Sequence, residues 1–238
     1  MSEAPETLDD LVRRVDPDRW LASRFIEDAR ARADVIALYA FNHELARVAH
    51  TVREPLMGEI RLTWWREAIE EISAGKPPRA HPVIEALATA NLPGADLGDL
   101  PERRLADLEQ GPFETDEQLF QYLDDTAGKM MALAARRLDP AVVFEQVRGA
   151  ARAFGLAGLW RTKSAGVRSR LPAWALEDLR VRVAAELTAA RAELATLPVA
   201  AFPAVAYATL AKPYSTGRDL GELEKRVRLT FSVLRGRI

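Results

Sequence analysis

The sequence contains no cysteine among its 238 residues. Thiol nucleophiles, thiolate zinc sites, iron–sulfur clusters and disulfide frameworks depend on that side chain, so its absence excludes them together. The 13 glycines form no phosphate-binding loop of the Walker or Rossmann type. Nucleotide hydrolysis and dinucleotide redox chemistry therefore lack their usual support in this chain.

The sequence also lacks an excess of either charge. Its 33 Lys and Arg residues oppose 35 Asp and Glu residues, which gives a formal net charge of −2. A dedicated nucleic-acid binder carries a clear basic excess, so we expect no nucleic-acid partner. Hydrophobic residues make up 48% and charged residues 29% of the chain, a composition typical of a folded globular protein.

Long apolar runs are absent as well. The longest candidate, Leu187 to Leu210, is interrupted by Arg191, Glu193, Pro198 and Pro203. A helix that spans a membrane needs about 18 or more consecutive apolar residues, so we expect none here. The first residues carry acidic side chains and no apolar signal segment. We expect a cytoplasmic protein, and peripheral contact with the inner face of a membrane stays open.

Alanine and leucine dominate the chain, and apolar residues recur at three- and four-residue steps rather than in alternation. This periodicity predicts an all-α fold, which we expect to form a single domain over residues 1–238. The predicted helices cover residues 30–53, Pro55 to Ser73, Thr115 to Leu138, Pro140 to Arg161, and Trp174 to Leu197. The stretch from Ala90 to Pro112 holds several prolines and glycines, and we interpret it as a loop between helices.

One segment is strongly basic. Residues Gln146 to Leu176 contain no Asp or Glu. Two interpretations stay open: exposed, solvated arginines, or a site for phosphate, diphosphate or anionic lipid headgroups. The basic side chains of this segment are Arg148, Arg152, Arg161, Lys163, Arg168 and Arg170.

Five blocks of sequence, in order, resemble the squalene/phytoene synthase family. They are DPDRWLASRF (Asp16 to Phe25), ALYAFNHELARV (Ala37 to Val48), GEIRLTWWREAIEEI (Gly58 to Ile72), YLDDTAGKMMALAARRL (Tyr122 to Leu138) and ARAFGLAGLWR (Ala151 to Arg161). The resemblance implies an isoprenoid-synthase-like helical bundle around a central apolar cavity. Active members of that family join two prenyl diphosphates head to head with the help of Mg²⁺.

The resemblance also locates the metal-binding motifs, and this chain lacks their acidic residues. The register places the first Asp-rich motif at Ala46, Arg47 and His50, and the second near residues 162–166, which read Thr-Lys-Ser-Ala-Gly. We therefore expect no metal and no cofactor, unless an unrecognised carboxylate site holds Mg²⁺. The helix face that remains from the first motif consists of Tyr39, His43, Ala46, Arg47, His50 and Arg53.

Three functional hypotheses follow. The first is a non-catalytic member that binds an apolar lipid or a protein client of a respiratory complex, because ELARV (Glu44 to Val48) and RLTWWREAIEEI (Arg61 to Ile72) resemble relatives that assist complex I assembly. The second is a divergent prenyl diphosphate transferase that holds the diphosphate with basic side chains. The third is a carrier of isoprenoid or quinone-like lipids. The candidate anion-binding residues of the second hypothesis are Arg161, Lys163, Arg168 and Arg170.

Overall fold

A computed structural model describes residues 6–109, 111–161, 171 and 178–238, and these residues form helices, turns and no strand. The all-α prediction is thus confirmed. No helix within these ranges has both the length and the apolar content that crossing a bilayer requires. The α-helices are α1 (Leu8–Val15), α2 (Pro17–Ser23), α3 (Ala29–Thr51), α4 (Pro55–Ser73), α5 (Pro82–Thr89), α6 (Gly94–Arg103), α7 (Asp116–Leu123), α8 (Lys129–Leu138), α9 (Arg148–Arg161), α10 (Leu179–Glu193), α11 (Ala211–Ser215) and α12 (Glu222–Arg235).

Local chemistry determines where several of these helices begin. The side chains of Thr7, Asp16, Asp28 and Thr115 each accept a hydrogen bond from a backbone N–H in the first turn of the following helix. Such caps satisfy donors that have no partner inside the helix. Proline occupies the first turn of α2, α4 and α5, where its missing N–H costs nothing.

Helix α3 lies in the middle of the bundle. Its residues from Val35 to Phe41 are all buried. A helix that is apolar on every side must be surrounded by other elements, and α3 contacts α1, α4, α5 and α8. The predicted bounds of α3 and α4 agree with the structure to within two residues.

The interpretation of Ala90 to Pro112 as a loop is wrong. The structure forms α6 there and continues it as a 3-10 helix from Arg104 to Leu108. Leu97 and Leu100 are buried, and α6 packs along α4. Burial of this apolar face outweighs the helix-breaking tendency of Pro101, which lies within α6.

The predicted helix from Thr115 to Leu138 is one continuous rod with a wider turn inside it. Residues Asp124–Gly128 form a π-helical turn between α7 and α8. At Gly128 a Cβ atom would lie only 2.8 Å from the ring of Phe144, so glycine is required for that contact. π-helical turns redirect the side chains around them, and this one borders the cleft described below.

A buried carboxylate joins helices that are far apart in the sequence. Asp18 accepts hydrogen bonds from Lys225 Nζ at 2.6 Å and from the Tyr214 hydroxyl at 2.8 Å. The guanidinium of Arg161 lies 3.5 Å from the same carboxylate and 3.6 Å from the centroid of the Tyr214 ring. Burial, followed by the nearby Asp18 charge, raises the pKa of the Tyr214 hydroxyl, which therefore remains a hydrogen-bond donor. We call these four residues the Asp18 cluster.

Replacing Lys225 with methionine should destabilise the protein strongly. The substitution leaves the buried Asp18 carboxylate without its closest cation, and removal of one partner from a buried ion pair costs about 3 kcal/mol or more. The free energy of unfolding measured in urea should fall by that amount.

Arg226→Gln is the matched control, because Arg226 forms an exposed ion pair with Glu222 on the same helix. Its effect should stay below about 1 kcal/mol. Equal effects of the two substitutions would contradict a stabilising role of the Asp18 cluster.

Candidate functional site

The C-terminal half of α3 faces α9 across a cleft of about 250 Å³. α2, the 3-10 helix after α6 and the π-helical turn complete its walls. At Gly155 of α9 a Cβ atom would lie 2.7 Å from a methyl carbon of Leu123, so glycine lets α9 approach the opposite wall. We call this space the α3–α9 cleft. Its lining includes Arg19, Asn42, Ala46, His50, Arg104, Asp107, Tyr122, Thr126, Phe154 and Gly158.

A buried arginine extends from α2 to the floor of the α3–α9 cleft. Arg19 is only 8% exposed. Its guanidinium carbon lies 5.7, 5.3 and 5.0 Å from the ring centroids of Tyr39, Phe154 and Tyr207, and it forms an ion pair with Asp16 at 2.6 Å. Aromatic faces attract a cation at these distances. A charged side chain thus lies among aromatic rings at the floor of the cleft.

Arg19 stays charged despite its burial. Burial by itself disfavours the charged form, but the neighbouring Tyr207 and Asp16 outweigh that effect and hold the pKa of Arg19 above its ordinary value. Its Nε atom has no hydrogen-bond partner among the described residues. The Tyr207 hydroxyl likewise has no such partner in the described part of the chain, and the Tyr207 ring lies beside the guanidinium, so these two groups are each other's polar neighbours.

A second cation lies in the wall of the same cleft. Arg104 forms an ion pair with Asp107 at 3.1 Å and donates a hydrogen bond to the side-chain oxygen of Asn42 at 2.7 Å. The Tyr122 hydroxyl donates to Asp107 at 2.6 Å. Burial opposes the charge of Arg104, but Asp107 and Tyr122 outweigh it, so the pKa of Arg104 is raised. The cleft contains two guanidinium groups, each bound to a carboxylate of the chain itself.

The described side chains of the cleft do not fit Mg²⁺. Magnesium takes oxygen ligands, mainly carboxylates and water, in octahedral geometry. Asp107 is the one carboxylate among the described lining residues, and it already binds Arg104 and Tyr122. The described part of the chain contains no group of three or more His, Asp or Glu residues arranged for a metal. The chemistry of these donors suits an anionic group.

The residues predicted as the remnant of the first motif do not all meet in the cleft. Ala46 and His50 line it, and Tyr39 lies below it in contact with Arg19. His43 is half-buried outside the lining residues. Tyr39, Ala46 and His50 lie on one side of α3 because residues four and seven apart share a face of a regular helix. A functional role for this face stays a prediction.

Two other members of that predicted set point elsewhere. Arg47 is half-exposed, binds Glu44 at 3.0 Å and borders a smaller pocket of about 210 Å³ beside Trp64. Arg53 is exposed in the turn that follows α3. Neither side chain lines the α3–α9 cleft.

The basic segment is only partly described. Arg161 belongs to the Asp18 cluster, and Arg152 forms a two-pronged ion pair with Asp124 at 2.7 and 2.6 Å. Lys163, Arg168 and Arg170 lie outside the described residues. The anion site formed by Arg161 and these three residues stays a prediction.

Sequence reasoning missed Arg19, Arg104, Asp107 and Tyr122. Arg104 and Asp107 lie in the stretch that was interpreted as a loop, which hid their i,i+3 spacing on a helical turn. Asp16 and Arg19 have the same spacing at the start of α2, directly after a helix cap. The available signal is an acidic residue and an arginine three positions apart in a helical turn, a spacing that lets the two side chains form an ion pair.

His43 makes the stability depend on pH. Burial lowers the pKa of His43, and Glu44 compensates only in part. The unfolded chain therefore binds a proton more readily than the folded chain once the pH falls below about 6.5, so His43 destabilises the fold progressively under acid conditions. His43→Gln should reduce the loss of unfolding free energy between pH 7.5 and pH 5.5.

The control is His50→Gln, which changes an exposed imidazole on the same helix. Urea denaturation of the three proteins at both pH values measures the difference. An identical loss of stability in wild type and His43→Gln would refute the assignment.

A family model and two solved structures resemble this chain. Residues 12–162 match the family model of squalene/phytoene synthases. A dehydrosqualene synthase in complex with ligand superposes with a TM-score of 0.76 at 14% identity, over 96% of this chain and 94% of that chain. Squalene synthase HpnC from Alicyclobacillus acidocaldarius gives a TM-score of 0.66 at 17% identity, over 96% and 92%. These likenesses confirm the isoprenoid synthase fold.

Curated relatives share part of the chain. The NADH dehydrogenase (ubiquinone) complex I, assembly factor 6 of Homo sapiens is 30% identical over 127 residues, which cover 52% of this chain and 38% of that protein. Its homolog from Dictyostelium discoideum is 27% identical over 130 residues, or 53% and 36%. The match thus spans well under half of the length of these relatives.

Proposed function

The chain belongs to the squalene/phytoene synthase family, and from this premise we propose that it is a non-catalytic member that acts by binding. The observation that carries the proposal is the state of the α3–α9 cleft. Arg19 is buried there and bound to Asp16, and Arg104, which is partly buried, is bound to Asp107. The cleft is neutralised by its own side chains.

Electrostatics argues against turnover through the family mechanism. In that mechanism Mg²⁺ neutralises the departing diphosphate, and such a metal is held by one or two protein carboxylates together with water and the substrate phosphates. The carboxylates at the cleft are already engaged, Asp16 by Arg19 and Asp107 by Arg104 and Tyr122, so they are not available to a divalent cation. The described residues therefore support binding of an anion or of an apolar partner, and give no support to metal-assisted ionisation.

We further propose that the binding partner is a protein client in the assembly of respiratory complex I. The relatives named as assembly factors support this role. A second support is an exposed apolar face on α4, which begins just before the block that resembles them and ends inside it. Leu56, Ile60 and Trp64 are 62%, 53% and 36% exposed and follow one another at four-residue steps. Exposed apolar side chains aligned in this way are typical of a protein contact.

Deletion of the gene in the organism that encodes the protein should lower the amount of assembled complex I. We expect membranes to lose most of their NADH-driven quinone reduction, while succinate-driven reduction stays unchanged and serves as the control. Complementation with wild type should restore the activity, and Ile60→Glu should not. Unchanged NADH oxidation after deletion would contradict the role in assembly.

A second candidate function is binding of a phosphorylated lipid without metal. The presence of two guanidinium groups, those of Arg19 and Arg104, in the lining of the α3–α9 cleft favours it. A guanidinium binds phosphate oxygens directly. The volume of about 250 Å³ accommodates a diphosphate headgroup far better than two long prenyl chains.

Calorimetry with a non-hydrolysable farnesyl diphosphate analogue separates these possibilities. We expect the affinity for the analogue to be the same in Mg²⁺ and in chelator. If the analogue binds in both, Arg104→Gln should weaken binding about tenfold because one charge-assisted contact is lost. If it binds in neither, the second candidate fails and the protein client remains. Binding that requires Mg²⁺ would contradict the non-catalytic proposal itself.

A further inference from the structure

Helix α12 presents apolar side chains on two opposite sides. One side faces the bundle, where Leu229 and Ser232 are buried and Lys225 reaches Asp18. The other side carries residues at steps of four, four and three, which places them along one helical face. We call this face the α12 outer stripe. Leu223, Val227, Phe231 and Leu234 form it and are 76%, 45%, 52% and 76% exposed.

The outer stripe is bordered by basic side chains. Residues 226–238 include four Arg and no Asp or Glu, in a chain whose net charge is −2. At about 100° per residue, Arg226 lies on one side of the stripe, and Arg228 and Arg235 lie on the other. Arg226 and Arg228 form exposed ion pairs with Glu222 and Glu224. Exposed ion pairs of this kind contribute little to stability, so these arginines can exchange the glutamates for another anion.

The end of the helix carries the clearest excess of positive charge. Arg235 has no carboxylate partner among the described residues, and its guanidinium lies 5.3 Å from the ring centroid of Phe231. Arg237 follows in the turn after α12 and is exposed. Both charges are free to meet an external anion at the edge of the stripe.

An apolar groove beside α12 extends this surface toward α2. It measures about 250 Å³ and is bordered by Trp20, Phe25, Leu229, Arg24 and Arg226. The indole of Trp20 lies 4.6 Å from the guanidinium of Arg24. An amphipathic ring next to arginines is suited to the boundary between water and hydrocarbon.

We propose that the α12 outer stripe docks on the surface of a bilayer that contains anionic phospholipids. A helix with an apolar stripe between two basic edges lies flat in such an interface, with its apolar side chains among the acyl chains and its arginines at the phosphates. Basic edges on both sides match a surface of uniform negative charge. This surface is separate from the α3–α9 cleft and from α4, so the inference is independent of the proposed function.

Flotation of the full chain with lipid vesicles tests the proposal. We expect binding to phosphatidylcholine vesicles with about 30% phosphatidylglycerol, little binding to pure phosphatidylcholine, and a decrease with added salt. Phe231→Glu should lower the apparent affinity about tenfold or more, because it removes apolar contact and adds a repelled charge. The double variant Arg235→Gln/Arg237→Gln should lower binding only to the anionic vesicles.

Val181→Glu is the control, because Val181 is an exposed apolar residue on a different helix, α10, and belongs to no binding surface described above. Val181→Glu should bind the vesicles as the wild type does. Circular dichroism should show that all variants remain folded, which is expected for exposed positions. A wild type that stays unbound at both lipid compositions, or an equal loss with Val181→Glu, overturns the proposal. Light scattering that shows a dimer sensitive to Phe231→Glu, without vesicle binding, would assign the stripe to a second copy of the chain.

Discussion

The packing of this bundle depends on the short helix α2, and within it on the buried carboxylate of Asp18. A carboxylate in the interior is stable only when cations and hydrogen-bond donors surround it. Lys225, Tyr214 and Arg161 supply them, and they come from three helices that lie more than 140 residues further along the chain. Helix α2, near the start of the chain, and α12, the last described helix, are therefore held together by a requirement for charge compensation, in addition to apolar contact.

The neighbouring residue Arg19 connects this packing to function. Consecutive residues on a helix point in different directions, so α2 directs Asp18 toward α12 and Arg19 toward the aromatic rings beneath the α3–α9 cleft. Helix α2 therefore both stabilises the bundle and places a charged side chain at the cleft. Arg104 adds a second cation, and like Arg19 it is paired with a carboxylate, so the described lining of the cleft leaves no free carboxylate for Mg²⁺.

The fold could be predicted from sequence because its information is local and periodic. The apolar steps of α3, the proline before α4 and the cap at Thr115 each define a helix without knowledge of its neighbours. Helix α6 was missed because prolines and glycines dominate its sequence, while its stability comes from burial of Leu97 and Leu100 against α4.

The cleft could be predicted only in part. The resemblance places the first motif on α3, and the four-residue spacing of Ala46 and His50 is enough to put both on the same face of that helix. Arg19 and Arg104 reach the cleft from α2 and from the turn after α6, and no spacing in the sequence relates them to α3. Their role depends on three-dimensional packing and on the carboxylates beside them, so it became visible only in the structure.

The central claim is that the cleft does not support metal-assisted ionisation of a prenyl diphosphate. The most direct test is the release of inorganic diphosphate from farnesyl diphosphate by the purified protein in Mg²⁺, beside an active squalene synthase at equal concentration. The account predicts release at the rate of the buffer control, with the active enzyme clearly above it. Diphosphate release by this protein that requires Mg²⁺ and disappears with chelator would contradict the account.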